Sequence, residues 1–341
     1  MTLTIAVVGG GRIGALRARI LGRLGHRTLM IDPLRAPTAV APVFRDVRDV
    51  CPSPDVWIVA TPTAAHVAAL AAILERDPGA AVLVEKPACP PGQLSTLREL
   101  LARHPRAAVE VASQYQDSSA VHTLARAAGP DADLVISFVK DRRPDEARGR
   151  FRDPVAGVLG YEWPHLHAIA RTLGIPRADL LTFDSDRSRF RFVEEGDYLV
   201  EARFDTICRD GRRLVLHSGI TGDSSRLHAV VGADPSNYRL VRAVGASNVQ
   251  HSLWLTPSRA SDAAPPSAGE CLLVTEAPTG RRRVTKMLDD PLRTSMEQSI
   301  RRLVSGAPRD VEGDLDVIAH TEMLLGLRTR AGAREVSHAA P

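Results

Sequence analysis

The pattern of apolar and polar positions changes at about residue 118. Before it, short apolar runs alternate with helical periods. The run TLTIAVV (2–8) is β-branched and uninterrupted, which predicts a strand buried on both faces. Gly9 to Gly14 follow as a turn, then a helix over Ala15–Leu24 that stops near Gly25. Further strands are predicted over His26–Ile31, closed by Asp32-Pro33, and over Asp55–Ala60, Ala81–Val84 and Ala107–Ala112. Helices are predicted over Ala64–Glu75 and Gln93–Arg103. Such alternation calls for a parallel, Rossmann-type sheet with right-handed crossovers.

Beyond Ser118 the period shortens toward two. A helix (Ala120–Ala128) leads to a strand (Leu134–Val139), an arginine-rich stretch to about Pro154, and a helix over Pro164–Leu173. Eight strand candidates follow at hairpin spacing: TFDSDRSRFRFV, DYLVEARFDTIC, RRLVLHSGIT, LHAVVG, YRLVRAVG, NVQHSLWLT, ECLLVTEA and RRRVTKML. They predict an open, mainly antiparallel sheet. Residues 258–269 read as a surface loop, and helices over Pro291–Leu303 and Val311–Arg328 close the chain. The expected division is a cofactor domain over 1–117, an α+β substrate and oligomerisation domain over 118–330, and a frayed tail over 331–341.

Composition narrows the class. The 341 residues are 44% hydrophobic and 25% charged, which excludes a disordered chain, a collagen-like repeat and a small disulfide scaffold. The net charge of +4 comes from basic residues scattered among 40 acids, so nucleic acid is not the expected partner. Four cysteines lie far apart with no CxxC, which predicts neither a disulfide framework nor a zinc site, and no metal is expected. Residues 56–74 lack Asp, Glu, Lys and Arg, but Thr61-Pro62-Thr63 and His66 break the run, so it reads as strand, turn and helix rather than a membrane span. With no signal-peptide pattern, a cytoplasmic location is expected. Only Lys86, Lys140 and Lys286 are lysines among 44 basic residues. Against a background of arginine, a lysine marks a place where a guanidinium does not serve.

The first chemistry-bearing motif is Gly9, Gly11 and Gly14 between a strand and a helix. The first glycine permits the tight turn, the second lets backbone approach a pyrophosphate, and the third lets helix and strand pack closely. The helix N-terminus, with Arg12 and Ile13 in its first turn, supplies free N–H groups for phosphates. Asp32, 18 residues after Gly14 at the end of the second strand, is the acid expected to accept from an adenosine ribose. It favours NAD, while Arg35 nearby would serve NADP. A plain glycine turn with an unrelated acid is the competing reading. The next strand ends carry Ala60, Thr61, Pro62 and His66, then Glu85 and Lys86. Ligands bind at the C-terminal strand ends of an open parallel sheet, which sets Lys86 toward the nicotinamide half. An ammonium can donate to a substrate hydroxyl and can lose charge when desolvated. Alone, Lys86 would read as an exposed turn lysine; its position at the strand end reverses that reading.

The chain resembles the Gfo/Idh/MocA oxidoreductases, the family of glucose–fructose oxidoreductase and inositol dehydrogenase. The resemblance rests on VVGGGRIG (7–14), ATPTAAH (60–66), VEKP (84–87) and GVLGYEWPHLHAIARTLG (157–174). It implies hydride transfer between nicotinamide C4 and a carbinol or carbonyl carbon of a sugar, sugar derivative or cyclitol. It further implies a homodimer or homotetramer packed through the open sheet face. The family carries an aspartate four residues before its histidine. Here Tyr161 stands at that position before His165, with Glu162 beside it as a substitute.

Lys86, His165 and Tyr161 are therefore the catalytic candidates. Pro164 opens the helix that carries His165 in its first turn. Gln114, Gln116, Glu162, Trp163 and His167 are the substrate candidates. Each has a bland alternative: a core histidine for His165 and His167, a core tryptophan for Trp163, a pocket wall for Tyr161. Two other functions stay open. One is an imine or keto reductase acting on a non-sugar substrate. The other is an NAD(P)-binding sensor or non-redox protein.

Overall fold

The computed structural model describes residues 1–34, 42–149, 152–221, 226–228, 230, 233–234, 237–256 and 269–338. The chain forms two compact units, one of residues 1–113 and 292–318, the other of residues 114–291 and 319–341. These units cut across the contiguous 1–117 and 118–330 division, because residues 292–318 return to the N-terminal unit.

The first unit holds β1 (Thr4–Val8), α1 (Arg12–Arg23), β2 (Arg27–Ile31), β3 (Val43–Phe44), β4 (Val56–Val59), α2 (His66–Arg76), β5 (Ala81–Val84), α3 (Leu94–Arg103) and β6 (Ala108–Val111). All pairings in its sheet are parallel, in the order β3-β2-β1-β4-β5-β6. This doubly wound order reverses direction between β1 and β4, where ligands bind in such sheets. β1 and β4 are buried nearly throughout, as uninterrupted apolar strands between two helical layers must be. The two-residue β3 was not anticipated from the sequence; it is too short to show a period.

Two late elements complete this unit: α9 (Pro291–Val304) and the start of α10 (Val311–His338). Met296, Ile300 and Leu303 of α9 join Leu3, Ile5, Leu21 and Ile58 in one core. Buried Glu110 of β6 takes Arg302 at 2.8 Å and the Arg309 N–H at 2.8 Å, and Arg98 pairs with Glu312 at 3.0 Å. These contacts are why the segment belongs here rather than with the sequence that precedes it.

The second unit holds α4 (Ser119–Ala128), β7 (Asp133–Lys140), the short helices α5 (Arg143–Glu146) and α6 (Val158–Tyr161), α7 (Trp163–Thr172) and α8 (Arg177–Leu181). Then come β8 (Ser188–Glu195), β9 (Tyr198–Ile207), β10 (Arg213–Gly219), β11 (Asn237–Val244), β12 (Gln250–Thr256), β13 (Glu270–Glu276) and β14 (Arg282–Leu288). They form an eight-stranded sheet in the order β14-β13-β12-β11-β7-β10-β9-β8. The sheet is antiparallel except where β7 lies parallel to β10. That exception follows from the helical crossover α5–α8 between β7 and the β8–β9–β10 meander, since a parallel neighbour needs a long connection. Val139, Tyr238, Leu240, Trp254 and Val274 form one of its apolar clusters.

Four sequence expectations are corrected in this unit. The first strand candidate, from Thr182, becomes strand only at Ser188, because Asp184 closes a turn by accepting from the N–H groups of Asp186, Arg187 and Ser188. In LHAVVG, Leu227, His228 and Val230 form no strand, and the rest lies outside the described residues. The short helices α5, α6 and α8 were not anticipated; four or five residues span too few turns to show a period. The tail expected from 331 instead continues α10 to His338. The predicted loop over 258–269 lies outside the described residues up to Gly269. Among the described residues no helix is long and apolar enough to cross a membrane.

Candidate active site

In the first unit, β1 ends at Val8 and the chain turns at Gly9 with φ +103°. A Cβ at Gly9 would lie 2.6 Å from the Ala60 carbonyl oxygen, and one at Gly14 would lie 1.8 Å from the Gly9 oxygen. Both positions therefore exclude side chains so that α1 and β4 can close on the turn. Gly11 differs: a Cβ there meets nothing within 4 Å, and its φ of −62° suits any residue. The chain itself gives no reason for glycine at 11, whereas a ligand lying against that backbone would. The helix α1 starts without a side-chain cap, and Arg12 and Ile13 in its first turn are exposed. Uncapped N–H groups and the helix dipole together suit a phosphate.

Asp32 braces this turn. Its Oδ2 accepts from the Gly10 N–H at 2.7 Å and its Oδ1 from the Leu34 N–H at 2.9 Å. Each carboxylate oxygen keeps a second lone pair for a ribose hydroxyl. Arg35 lies outside the described residues. Across the crevice, the Thr61 hydroxyl is buried without a protein partner and Pro62 is exposed. An orphaned hydroxyl and open space at Gly11 are the features a bound dinucleotide would fill, so the residues fit the cofactor.

Two expected cofactor ligands instead hold the crevice together. His66 is buried, with Nδ1 at 2.9 Å from the Pro87 oxygen and Nε2 at 2.9 Å from the Thr61 oxygen. Burial lowers its pKa, and the neutral ring carries one N–H, so it donates to one of these two carbonyls at a time. Glu85 faces inward and accepts from Nε of buried Arg17 in α1 at 2.5 Å. This ion pair ties α1 to the end of β5, where half-buried Lys86 follows at once.

In the second unit, a 3-10 turn over Gln114–Asp117 delivers Tyr115 to the start of α7. The Tyr115 ring meets His165 edge-on with centroids 5.1 Å apart, and Phe138 at 5.7 Å. Gln114 and Gln116 flank it half-buried. His165 is the third residue of α7, and its N–H donates to the Glu162 carbonyl at 2.9 Å. Glu162 itself is 1% exposed. Its carboxylate takes Arg142 at 2.5 Å and Arg239 at 3.3 Å. It is not the open substrate-facing acid expected in place of the aspartate.

Tyr161 sits in a separate cluster. Its hydroxyl accepts from the Asp153 N–H at 3.2 Å and lies 3.5 Å from Glu146 and 3.4 Å from the Tyr198 hydroxyl. Burial raises the pKa of both tyrosines, so both stay protonated phenols at neutral pH. The Arg142 guanidinium lies over the Tyr161 ring at 5.2 Å, and Arg152 lies over Tyr198 at 3.8 Å.

Trp163 and His167 do not reach a site. They stand four residues apart on α7, hence on one face, and that face is the core side. Trp163 is wholly buried, and His167 Nε2 lies 2.5 Å from Nδ1 of buried His320 in α10. Desolvation lowers both histidine pKa values, that of His320 to about 3. Both are packed in the core of the second unit. The sequence reading did not choose Tyr115, Arg142, Arg239, Glu146, Tyr198 or His320 as site residues. Tyr115 carried a signal as an aromatic between the two chosen glutamines, and Arg142 as the start of the arginine-rich stretch, which reads first as a solvated loop.

Residues 3–115 match the family model described as an oxidoreductase family with an NAD-binding Rossmann fold. No curated protein matches the chain in sequence. Among solved structures, the fold is similar to the UDP-N-acetylglucosamine 3-dehydrogenase from Acidithiobacillus ferrooxidans, with TM-score 0.70, 15% identity, and 95% of this chain and 97% of that one covered. It is similar also to a 3-ketoreductase from Actinomadura kijaniata in complex with TDP-benzene and NADP (TM-score 0.64, 17% identity, 95% and 96% covered). A third is an oxidoreductase from Agrobacterium radiobacter in complex with NAD+, L-tartaric acid and magnesium (TM-score 0.69, 13% identity, 94% and 95% covered). Over residues 3–115 the chain is thus similar to the Gfo/Idh/MocA oxidoreductases and carries an NAD-binding Rossmann fold.

Proposed function

We propose that the protein is an NAD(P)-dependent dehydrogenase or reductase acting on a carbinol or carbonyl carbon of a sugar, sugar derivative or cyclitol. One observation carries the cofactor half: Gly11 is open where every other constraint on the turn is tight, at an uncapped helix start braced by Asp32. When bound, the nicotinamide supplies or accepts the hydride. Lys86 follows β5 on the C-terminal side of the sheet, the side on which ligands bind in this architecture. Its role in the proposal is to donate to the substrate oxygen and polarise it. The Arg17–Glu85 pair holds it there. His165, oriented by the Tyr115 ring edge, is assigned proton exchange with the substrate hydroxyl. Tyr161, kept protonated by burial, is a phenolic donor in reserve. The sugar substrate is favoured by two of the solved relatives, which are a sugar-nucleotide 3-dehydrogenase and a 3-ketoreductase crystallised with a TDP ligand.

The second reading, a keto or imine reductase on a non-sugar substrate, draws on the occupied Glu162 carboxylate, which leaves no open acid where the family resemblance implies an aspartate. A panel of cyclitols, sugar phosphates, uronates and nucleotide sugars, followed at 340 nm with NAD and NADP, separates the two. Turnover on any of them supports the first; silence across the panel with turnover on simple ketones or imines supports the second. Tight cofactor binding with no turnover on either set would instead make the protein a sensor.

A further inference from the structure

Arg142 and Arg239 come from distant parts of the chain, the end of β7 and the body of β11, and converge on one carboxylate. Glu162 lies 2.5 Å from Nη2 of Arg142 and 3.3 Å from Nη2 of Arg239. The only other acid at Arg142 among the described residues is Asp145, at 3.5 Å, and Asp145 is shared with Arg148 at 3.1 Å and Lys140 at 3.6 Å. Nε of Arg142 is buried with no protein partner. The two guanidiniums are largely covered, with side chains 17% and 25% exposed, so water screens their surplus charge poorly. A guanidinium offers five donors in a rigid fork matched to carboxylate and phosphate. The cluster also borders the candidate acid–base group: the Arg239 guanidinium lies 5.5 Å over the Phe138 ring, which meets Tyr115 edge-on, and the Tyr115 ring in turn meets His165.

We propose that the Arg142–Arg239 pair recognises an oxyanion, carboxylate or phosphate, carried by the substrate. The protein then acts on acidic sugar derivatives rather than neutral polyols. This rests on the oxidoreductase reading and names its substrate class. Glu162 binds both forks and lowers their net charge, so that the site is cationic without being uncompensated before the substrate arrives.

The test is calorimetric binding to the NADH-loaded protein, with glucuronate, glucose 1-phosphate and UDP-glucose as anionic probes and glucose and myo-inositol as neutral ones. At least one anionic probe is expected to bind tenfold or more tightly than glucose. That preference weakens with added salt and is lost in Arg239→Met. Glucuronate and glucose 1-phosphate separate the carboxylate source from the phosphate source. Arg239→Lys keeps the charge but loses the fork, and is expected to lose at least fivefold; it serves if the methionine variant fails to fold. Glu162→Gln removes the shared carboxylate and is expected to raise anion affinity severalfold. A purely structural cluster would instead lose stability there without gaining anions. The proposal is overturned if no anion is preferred, or if the preference survives both Arg239 variants. Turnover of neutral sugars with no anion preference refutes this inference alone. Anion binding without turnover of any compound refutes the oxidoreductase reading alone.

Discussion

Removing Arg17 isolates one interaction on which the placement of Lys86 depends. Arg17 is 3% exposed and Glu85 9% exposed, and they meet at 2.5 Å between α1 and the end of β5. Arg17→Met keeps most of the aliphatic volume and leaves a buried carboxylate unpaired. Breaking a buried pair on one side costs about 3–5 kcal/mol, because the stranded charge loses its partner without regaining water. For a domain of this size that corresponds to roughly 8–15 °C in Tm. Replacing both partners, Arg17→Met with Glu85→Gln, removes the stranded charge and is expected to recover at least half of the loss. Urea unfolding of the four proteins closes the double-mutant cycle, with NADH affinity measured on each. A single-variant cost below about 1 kcal/mol, or a double variant no better than the single, would refute the claim that the pair is buried and mutually dependent.

Three further outcomes follow from the geometry. Gly11→Ala is expected to fold as stably as wild type, since its Cβ meets nothing, yet to weaken NADH at least tenfold by fluorescence titration; equal affinity would remove the dinucleotide from that backbone. Gly14→Ala is expected to lower stability by about 1–3 kcal/mol or more in urea unfolding, because its Cβ would sit 1.8 Å from the Gly9 oxygen. His320 and His167 have folded pKa values depressed below the ordinary 6.5 by burial, that of His320 to about 3. The unfolded chain therefore takes up protons that the folded one refuses as pH falls. Stability is complete above about pH 6.5 and declines below it by roughly 1.4 kcal/mol per pH unit for each histidine. Urea midpoints at pH 7 and pH 5 check this, and a midpoint unchanged at pH 5 would contradict it.

What the sequence made legible was local. Gly9, Gly11, Gly14 and Asp32 sit in one short strand–turn–helix–strand stretch, and β1, α1 and β2 form there within two or three residues of the expected bounds. Residues 292–318 could not be assigned from position, since Glu110 and Arg302 meet across 192 residues. The parallel pairing of β7 with β10 is likewise a product of the crossover between them, not of either strand's pattern. On α7, spacing shows that Trp163 and His167 share a face, but only packing decides that it is the buried one. Arg239 was hidden by the abundance of arginine, Arg142 stood only in a dense basic stretch that reads first as a solvated loop, and Glu162 looked open because its partners are distant in the chain. Lysine scarcity worked in the opposite sense and singled out Lys86 before any geometry was known.

The central claim is that Lys86 acts on the substrate and is not a cofactor ligand. Lys86→Met, assayed on whichever compound of the panel turns over, tests it most directly. The variant is expected to show kcat lower by about 10²–10⁴ with the NADH dissociation constant within about threefold of wild type. A dissociation constant raised tenfold or more with kcat preserved would contradict it.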